Sequence, residues 1–249
     1  MSVSGSVCFI IVVCQPADGT REQLVRECEM LGFTNFCFLD YCDDIGKGRG
    51  KNQESEGPTA AIPGSSFSGL VIFAENSGKA LKVVRDNRKD YDFIAIASEK
   101  EEVLTECVVE GGGAIDAILP DFSRTKAGKD LVRSCAKTGT ALFLDFSQIL
   151  NAPAYFRHVV VRRMGEAVER LQVKNDAKLV IASVTPDFML LRSPSELSAF
   201  FQHVGMRDVV AQDSIGETPL SILKSNRERR GLPALGVRII LTNKTNEGV

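Results

Sequence analysis

The chain of 249 residues is 44% hydrophobic and 25% charged, with a formal net charge of −2; this is the balance of a folded globular protein and excludes a fibre or a disordered chain. Its seven cysteines include no CxxC pair and its only histidines are His158 and His203, so neither a disulfide framework nor a Cys/His zinc site is expected, and the thiols read as reduced and mostly buried. The apolar opening Val7–Val13 is too short to cross a bilayer and lacks the basic flank of a signal peptide, which predicts a chain of the cytoplasm or nucleus with no membrane partner.

In chain order, short apolar runs predict strands at Cys8–Val13, Asn35–Tyr41, Leu70–Glu75, Phe93–Ala97, Ile115–Leu119, Ala141–Phe146, Lys178–Ser183 and Asp208–Ala211. Segments of helical period lie between and after them, near Arg21–Leu31, Gly78–Lys89, Lys100–Val109, Ala127–Thr138, Tyr155–Val173, Pro194–Val204 and Pro219–Arg230. Apart from one loop, each strand is followed by a helix. That is the repeat of an α/β protein of the (β/α)8 TIM-like barrel type, for which about 250 residues is typical. An open doubly wound sheet is the alternative, because periodicity does not reveal whether the first strand pairs with the last. The expected organisation is a single barrel domain over residues 1–249, with a flexible loop at 42–69, a short C-terminal tail and a candidate peripheral strand at Leu235–Leu241.

The loop at 42–69 is rich in Gly, Ser, Pro and charge, and has no apolar period. Its core, Gly46-Lys47-Gly48-Arg49-Gly50-Lys51, can wrap a phosphate backbone or serve as a solvated linker, and it lacks the GK[ST] ending of a P-loop. Four acids, Asp40, Glu75, Asp121 and Asp145, fall at predicted strand ends, where barrel enzymes keep catalytic carboxylates. Helix capping is the plainer role for them. No histidine precedes residue 158, so a transition-metal centre lacks imidazole ligands and an oxygen-only magnesium site is what remains. No GxSxG elbow is present, and Gly111-Gly112-Gly113 precedes a strand rather than following one, which suits a helix terminator better than a dinucleotide loop.

Basic residues are unevenly distributed. Residues 1–120 hold 11 Lys+Arg against 19 Asp+Glu, whereas residues 121–249 hold 19 against 13. On the helix near 155–173, Val160, Met164, Ala167, Val168 and Leu171 form the buried stripe, and Arg163, Arg170 and Lys174 follow one edge of it. Arg157 and Arg162 enlarge that cluster, while Arg124 and Lys126 sit in the loop after Leu119-Pro120. Arg227, Arg229 and Arg230 end the last helix, where the macrodipole alone favours cations. Without tryptophan and with three tyrosines, stacking on single strands has little support. Phosphates of duplex or folded RNA suit these cations better.

Near the C-terminal end, Leu191-Arg192-Ser193-Pro194 follows a strand. Ser193 reads as an N-cap, Pro194 as the first helical residue and Glu196 as the partner in a capping box. Arg192 is thereby set at the mouth of the barrel, where α/β proteins place groups that meet ligands. It is the leading candidate for an RNA phosphate or a partner's carboxylate; a brace for the last two βα loops is the other reading. The RNA-binding set is therefore Arg192, Arg157, Arg162, Arg163, Arg170, Lys174, Arg124 and Lys126, with no catalytic and no metal-ligating residue.

The order of these pieces closely resembles the thirty-kilodalton protein subunit of archaeal and eukaryotic ribonuclease P, protein component 3 in archaea. Arg192-Ser193-Pro194 is the sharpest match to that family's Arg-Ser/Gly-Pro turn. Met30-Leu31-Gly32-Phe33 resembles its Leu-Gly-Tyr/Phe turn, the run Arg85–Ala95 its basic helix leading into a strand, Ala141–Phe146 its Ile-Glu-Ile/Leu strand, and Arg157–Met164 its Arg-rich helix. Val184-Thr185, Leu190 and Gly216-Glu217-Thr218-Pro219 depart from the family pattern. The resemblance implies a barrel related in shape to the polymerase-and-histidinol-phosphatase barrels, with no activity alone and no cofactor of its own. It implies a catalytic RNA that needs magnesium and removes 5′ leaders from precursor tRNA. The implied partners are the ribonuclease P RNA, a small ferredoxin-like protein subunit in a heterotetramer, other ribonuclease P proteins and, indirectly, precursor tRNA. The compartment is cytoplasmic on the archaeal reading and nuclear on the eukaryotic one. A metal-dependent phosphoesterase on the same barrel is the competing class, and a scaffold that binds only protein is a third.

Overall fold

The computed structural model describes residues 9–13, 20–44, 65–172, 177–185 and 188–231. Among them are seven strands, β1 (Phe9–Val13), β2 (Asn35–Asp43), β3 (Ser65–Phe73), β4 (Phe93–Ser98), β5 (Ala117–Pro120), β6 (Ala141–Asp145) and β7 (Leu179–Ala182). Every neighbouring pair is parallel and the strands follow one another around the sheet in chain order. The sheet curls until β1 and β7 approach within 8 Å, Cα to Cα, which gives the expected α/β, TIM-like barrel. The helices are α1 (Thr20–Met30), α2 (Ser77–Asn87), α3 (Glu101–Gly111), α4 (Lys129–Thr138), α5 (Ser147–Asn151), α6 (Arg157–Gln172), α7 (Pro194–His203), α8 (Asp208–Ile215) and α9 (Glu217–Arg229). β4 to β7 are buried along their whole length, as expected of parallel strands covered on both faces.

Two expectations are corrected. The run Asp208–Ala211, read as an eighth strand, opens α8 instead: it continues to Ile215, and Ala211, Ser214 and Ile215 are buried at helical spacing. Four apolar-leaning residues are too few to separate the two periods. The loop placed at 42–69 also shrinks at both ends, since Cys42 and Asp43 belong to β2 and residues 65–69 to β3. Within β3, a Cβ at Gly69 would lie 2.5 Å from Leu39 Cδ2 and 3.0 Å from Cys37 Sγ. Its glycine serves close packing inside the barrel. Residues 45–64, with the basic Gly46–Lys51 core, and the run Leu235–Leu241 lie outside the described residues.

Two apolar layers result. The outward side chains of the strands, among them Phe36, Ile72, Ile94, Ile118 and Leu144, pack under the surrounding helices. The inward layer combines Leu39, Phe67, Val71, Phe93, Phe143 and Val180 with the small Ala95, Ala97, Ala117, Ala141 and Ala182. In a barrel filled by its own strands, bulky branched residues dominate these layers. Here the alanines leave room for Leu220, Ile222 and Leu223 of α9, which belong to the same cluster. A helix thus fills the space that an eight-stranded barrel closes with strand side chains.

α9 is locked by polar groups at the N-terminal end of the strands. Asp92 and Asp116 immediately precede β4 and β5, and both are buried. Asp92 pairs with Arg230 at 2.6 Å and Arg227 at 3.4 Å, and accepts from the Ser68 amide at 3.1 Å. Asn226, 2% exposed, donates to the Asp92 carbonyl at 2.9 Å and to Asp116 Oδ1 at 2.8 Å. Arg88 and the Ile94 amide donate to Asp116 Oδ2. Burial pushes the Asp116 carboxyl up, and the Arg88 guanidinium draws it back. The Arg227 guanidinium also lies 4.4 Å above the Phe67 ring, a cation–π contact. These arginines therefore do more than complement a helix dipole. Breaking a buried pair strands its partners, so Asp92→Asn is expected to lower the free energy of unfolding by about 3 kcal/mol in a urea titration. A loss below about 1 kcal/mol would show that apolar contacts alone hold α9.

Candidate nucleic-acid interface

The four strand-end acids do not converge. Asp40 is exposed and accepts from the Tyr91 hydroxyl at 3.0 Å. Glu75 is exposed, and its amide is held by the buried Asp44 at 3.0 Å, as is that of Asn76 at 2.9 Å. Asp121 Oδ1 accepts from the amide and hydroxyl of Ser123 at 2.9 and 2.6 Å, turning its own loop. Only Asp145 is buried in the mouth, where its oxygens accept from the Val184 and Ser147 amides, each at 2.9 Å, and the Ser147 hydroxyl at 2.7 Å. Ser147 Oγ in turn donates to the Val184 carbonyl at 2.8 Å. Asp145 thus ties β6 to the segment that leads from β7 toward Arg192. His158 and His203 are exposed on α6 and α7, and no group of three or more His, Cys, Asp or Glu among the described residues is arranged to hold a metal ion.

The helix start after β7 has the local structure that its sequence dictates. Ser193 caps α7, Pro194 is its first residue, and Glu196 completes the capping box. The Ser193 amide, 2.8 Å from Glu196 Oε2, holds the Glu196 carboxyl below its ordinary range. Arg192, partly exposed, donates through one terminal nitrogen to the carbonyls of Met189 at 3.2 Å and Leu191 at 2.6 Å. Its Nε and other terminal nitrogen have no partner among the described residues.

The remaining cations divide into braces and free groups. Arg163 reaches from α6 to the carbonyls of Phe122 and Ser123 at 3.0 and 2.7 Å. Arg170, two turns on, donates to the Ala127 carbonyl at 3.0 Å and pairs with Glu166 at 3.2 Å. Together they clamp the β5–α4 loop along α6. That loop carries Arg124, exposed and 2.7 Å from Glu99, and Lys126, exposed with its ammonium unpaired among the described residues. Arg162 is likewise exposed and unpaired among them, whereas Arg157 folds back on the Ala152 and Leu150 carbonyls at 3.1 and 3.2 Å. The structure therefore brings Arg163, Arg170, Arg124 and Lys126 to one place and leaves Arg192 on another loop. Lys174 lies outside the described residues. The sequence reading passed over Lys129, Arg133 and Lys137, all exposed on α4, although their even spacing of four was visible.

Burial raises the Asp145 carboxyl to about 6, against the opposing pull of its hydrogen bonds with Val184 and Ser147. The folded state then holds this proton more tightly than the unfolded chain, so the contribution of Asp145 to stability falls as pH rises through that window. Relative to an Asp145→Asn variant, the wild-type chain should lose about 3 kcal/mol between pH values of about 4 and 7 in chemical denaturation. Parallel stability curves would return Asp145 to an ordinary carboxyl.

A family model described as RNase P subunit p30 matches residues 9–231. Ribonuclease P protein component 3 of Methanosarcina mazei is 24% identical over 177 residues, covering 70% of this chain and 72% of that protein. A chain in the cryo-EM structure of archaeal ribonuclease P with mature tRNA superposes with a TM-score of 0.71 at 18% identity, over 95% of this chain and 99% of that one. Histidinol phosphate phosphatase from Lactococcus lactis, complexed with zinc, L-histidinol and phosphate, shares the barrel at a TM-score of 0.53 and 9% identity, over 81% of this chain and 95% of that one. The seven-stranded barrel, its capped Arg192 loop and the family match run over the same residues, and the chain belongs to the RNase P subunit p30 family.

Proposed function

We propose that this chain is a noncatalytic RNA-binding subunit of ribonuclease P, in which the RNA removes 5′ leaders from precursor tRNA and binds the required magnesium. It works in the cytoplasm beside a small ferredoxin-like protein subunit, in a heterotetramer, and with other ribonuclease P proteins; it meets precursor tRNA indirectly. The observation that carries the reading is how the mouth of the barrel is occupied. Asp145 is bound by Ser147 and Val184, and the interior below it is filled by α9. Among the described residues no group of three or more His, Cys, Asp or Glu gathers there to hold a metal ion, and the Asp145 carboxylate is already engaged by its neighbours.

What the chain contributes is charge at fixed positions. Folding an RNA crowds phosphates together, and fixed Lys and Arg groups replace part of the cation atmosphere that screens them. Arg163 and Arg170, whose donors engage loop carbonyls, act by holding the β5–α4 loop in shape. Arg192, Arg162, Lys126 and Arg124 are the groups that meet phosphate. Arg157, bound to carbonyls, adds local positive potential.

Two measurements test the reading. Precursor-tRNA cleavage followed across a magnesium series should show no activity with the protein pair alone, and activity at lower magnesium when RNA and protein are combined than with RNA alone. Cleavage by the protein pair without RNA, lost on replacing Asp40, Asp121 or Asp145, would overturn the reading in favour of an enzyme. Arg192→Ala removes a charge-assisted contact of about 1.5–3 kcal/mol, so reconstituted activity should fall by about tenfold or more while thermal melting stays near that of the wild type. Early melting with unchanged specific activity would make Arg192 a brace.

A further inference from the structure

Lys129, Arg133 and Lys137 stand four residues apart on α4, so their stems repeat along the helix at about 6 Å, a spacing comparable to that of successive phosphates in a nucleic-acid strand. All three are exposed, while Leu131, Val132 and Cys135 bury the opposite face. The row works against its own helix. Like charges at this spacing destabilise a helix, and Lys129 is the first residue of α4, where the macrodipole disfavours a cation. Gly128, the N-cap, offers no side-chain bond in compensation. Asp130, 3.7 Å from Arg133 and 85% exposed, offsets little of this.

The surroundings give the row a direction. α4 packs beside α6 and α3. On the α6 side, the clamped loop presents Lys126 and Arg124, the latter 2.7 Å from Glu99, and α6 itself exposes Arg162 and Glu169. On the other side, α3 exposes Glu102, Glu106 and Glu110 at the same spacing, and no ion pair among the described residues joins the two rows. A polyanion is attracted over α4 and repelled over α3.

The geometry points to a docking face on the outer flank of the barrel: the α4 row Lys129–Arg133–Lys137, extended by Lys126 and Arg162, seats the sugar–phosphate backbone of a double-helical segment of the ribonuclease P RNA. The inference rests on the functional reading above and adds to it an RNA contact away from the barrel mouth. None of these five groups is aromatic, so the contact positions the RNA without reading its bases.

The test is a titration of labelled ribonuclease P RNA with the full chain, from low to high potassium chloride. The wild type is compared with the triple variant Lys129→Gln, Arg133→Gln, Lys137→Gln and with a control of equal charge change, Lys79→Gln, Lys82→Gln, Lys89→Gln, whose positions are exposed on or just after α2. The α4 variant should bind about tenfold or more weakly, with a salt slope shallower by about one unit for each phosphate that the row no longer neutralises. The α2 variant should stay near the wild type, and all three proteins should melt alike. Unchanged affinity and slope in the α4 variant would overturn the inference and leave an acidic protein as the occupant of the row. An equal loss in the control would reduce it to general charge. A lower melting temperature with intact RNA binding would make the row a counter-charge for α3. RNA binding by the wild type that ignores salt would sink the functional reading itself, and the inference with it.

Discussion

Asp92 and Asp116 are buried at the N-terminal ends of two central strands, a position that a carboxylate tolerates only when cations and amides reach it. Arg227, Arg230 and Asn226 reach it from α9, and Arg88 from the turn after α2. This polar knot holds the helix in the barrel, and the apolar packing of Leu220, Ile222 and Leu223 follows from it. The alanines of β4, β5, β6 and β7 make sense only in that light: larger side chains would occupy the volume that the helix takes.

Filling the interior leaves the outer surface as the place where the proposed RNA contact can form. A TIM-like barrel usually works at the C-terminal ends of its strands, where loops surround a cavity. Here the buried carboxylates at that end, Asp44 and Asp145, accept from backbone amides, and the loop that Asp145 steadies ends in an arginine instead of a nucleophile. The free cations stand on helix flanks and on the β5–α4 loop, where a large polyanion can reach them. Such a surface suits recognition by shape and charge, which needs area more than depth.

Local signals were readable in the sequence, and long-range ones were not. The strands β4 to β7 announced themselves as continuous apolar runs, and Arg192-Ser193-Pro194 revealed the helix start because a capping box is complete within four residues. The resemblance to the ribonuclease P subunit rested on the same kind of contiguous pattern. By contrast, Asp208–Ala211 carried too few residues for its period to show, and the packing need that Gly69 meets comes from a neighbouring strand. Arg227 and Arg230 looked like dipole partners, since Asp92 is far away in sequence. The clamps made by Arg163 and Arg170 depend on carbonyls 41 and 43 residues earlier, and backbone carbonyls leave no trace in a sequence.

The place of α9 in the chain order has a kinetic side. Arg227 and Asp92 are separated by 135 residues, so the closure that completes the barrel belongs to the slow, high-contact-order part of folding. During synthesis the strands emerge first, and their alanine-lined inner face stays without its filling until the residues of α9 have left the ribosome. In that interval the curled sheet exposes apolar surface of the kind that aggregates. Shortening the chain before residue 230 would make that interval permanent, turning a folding intermediate into the final product.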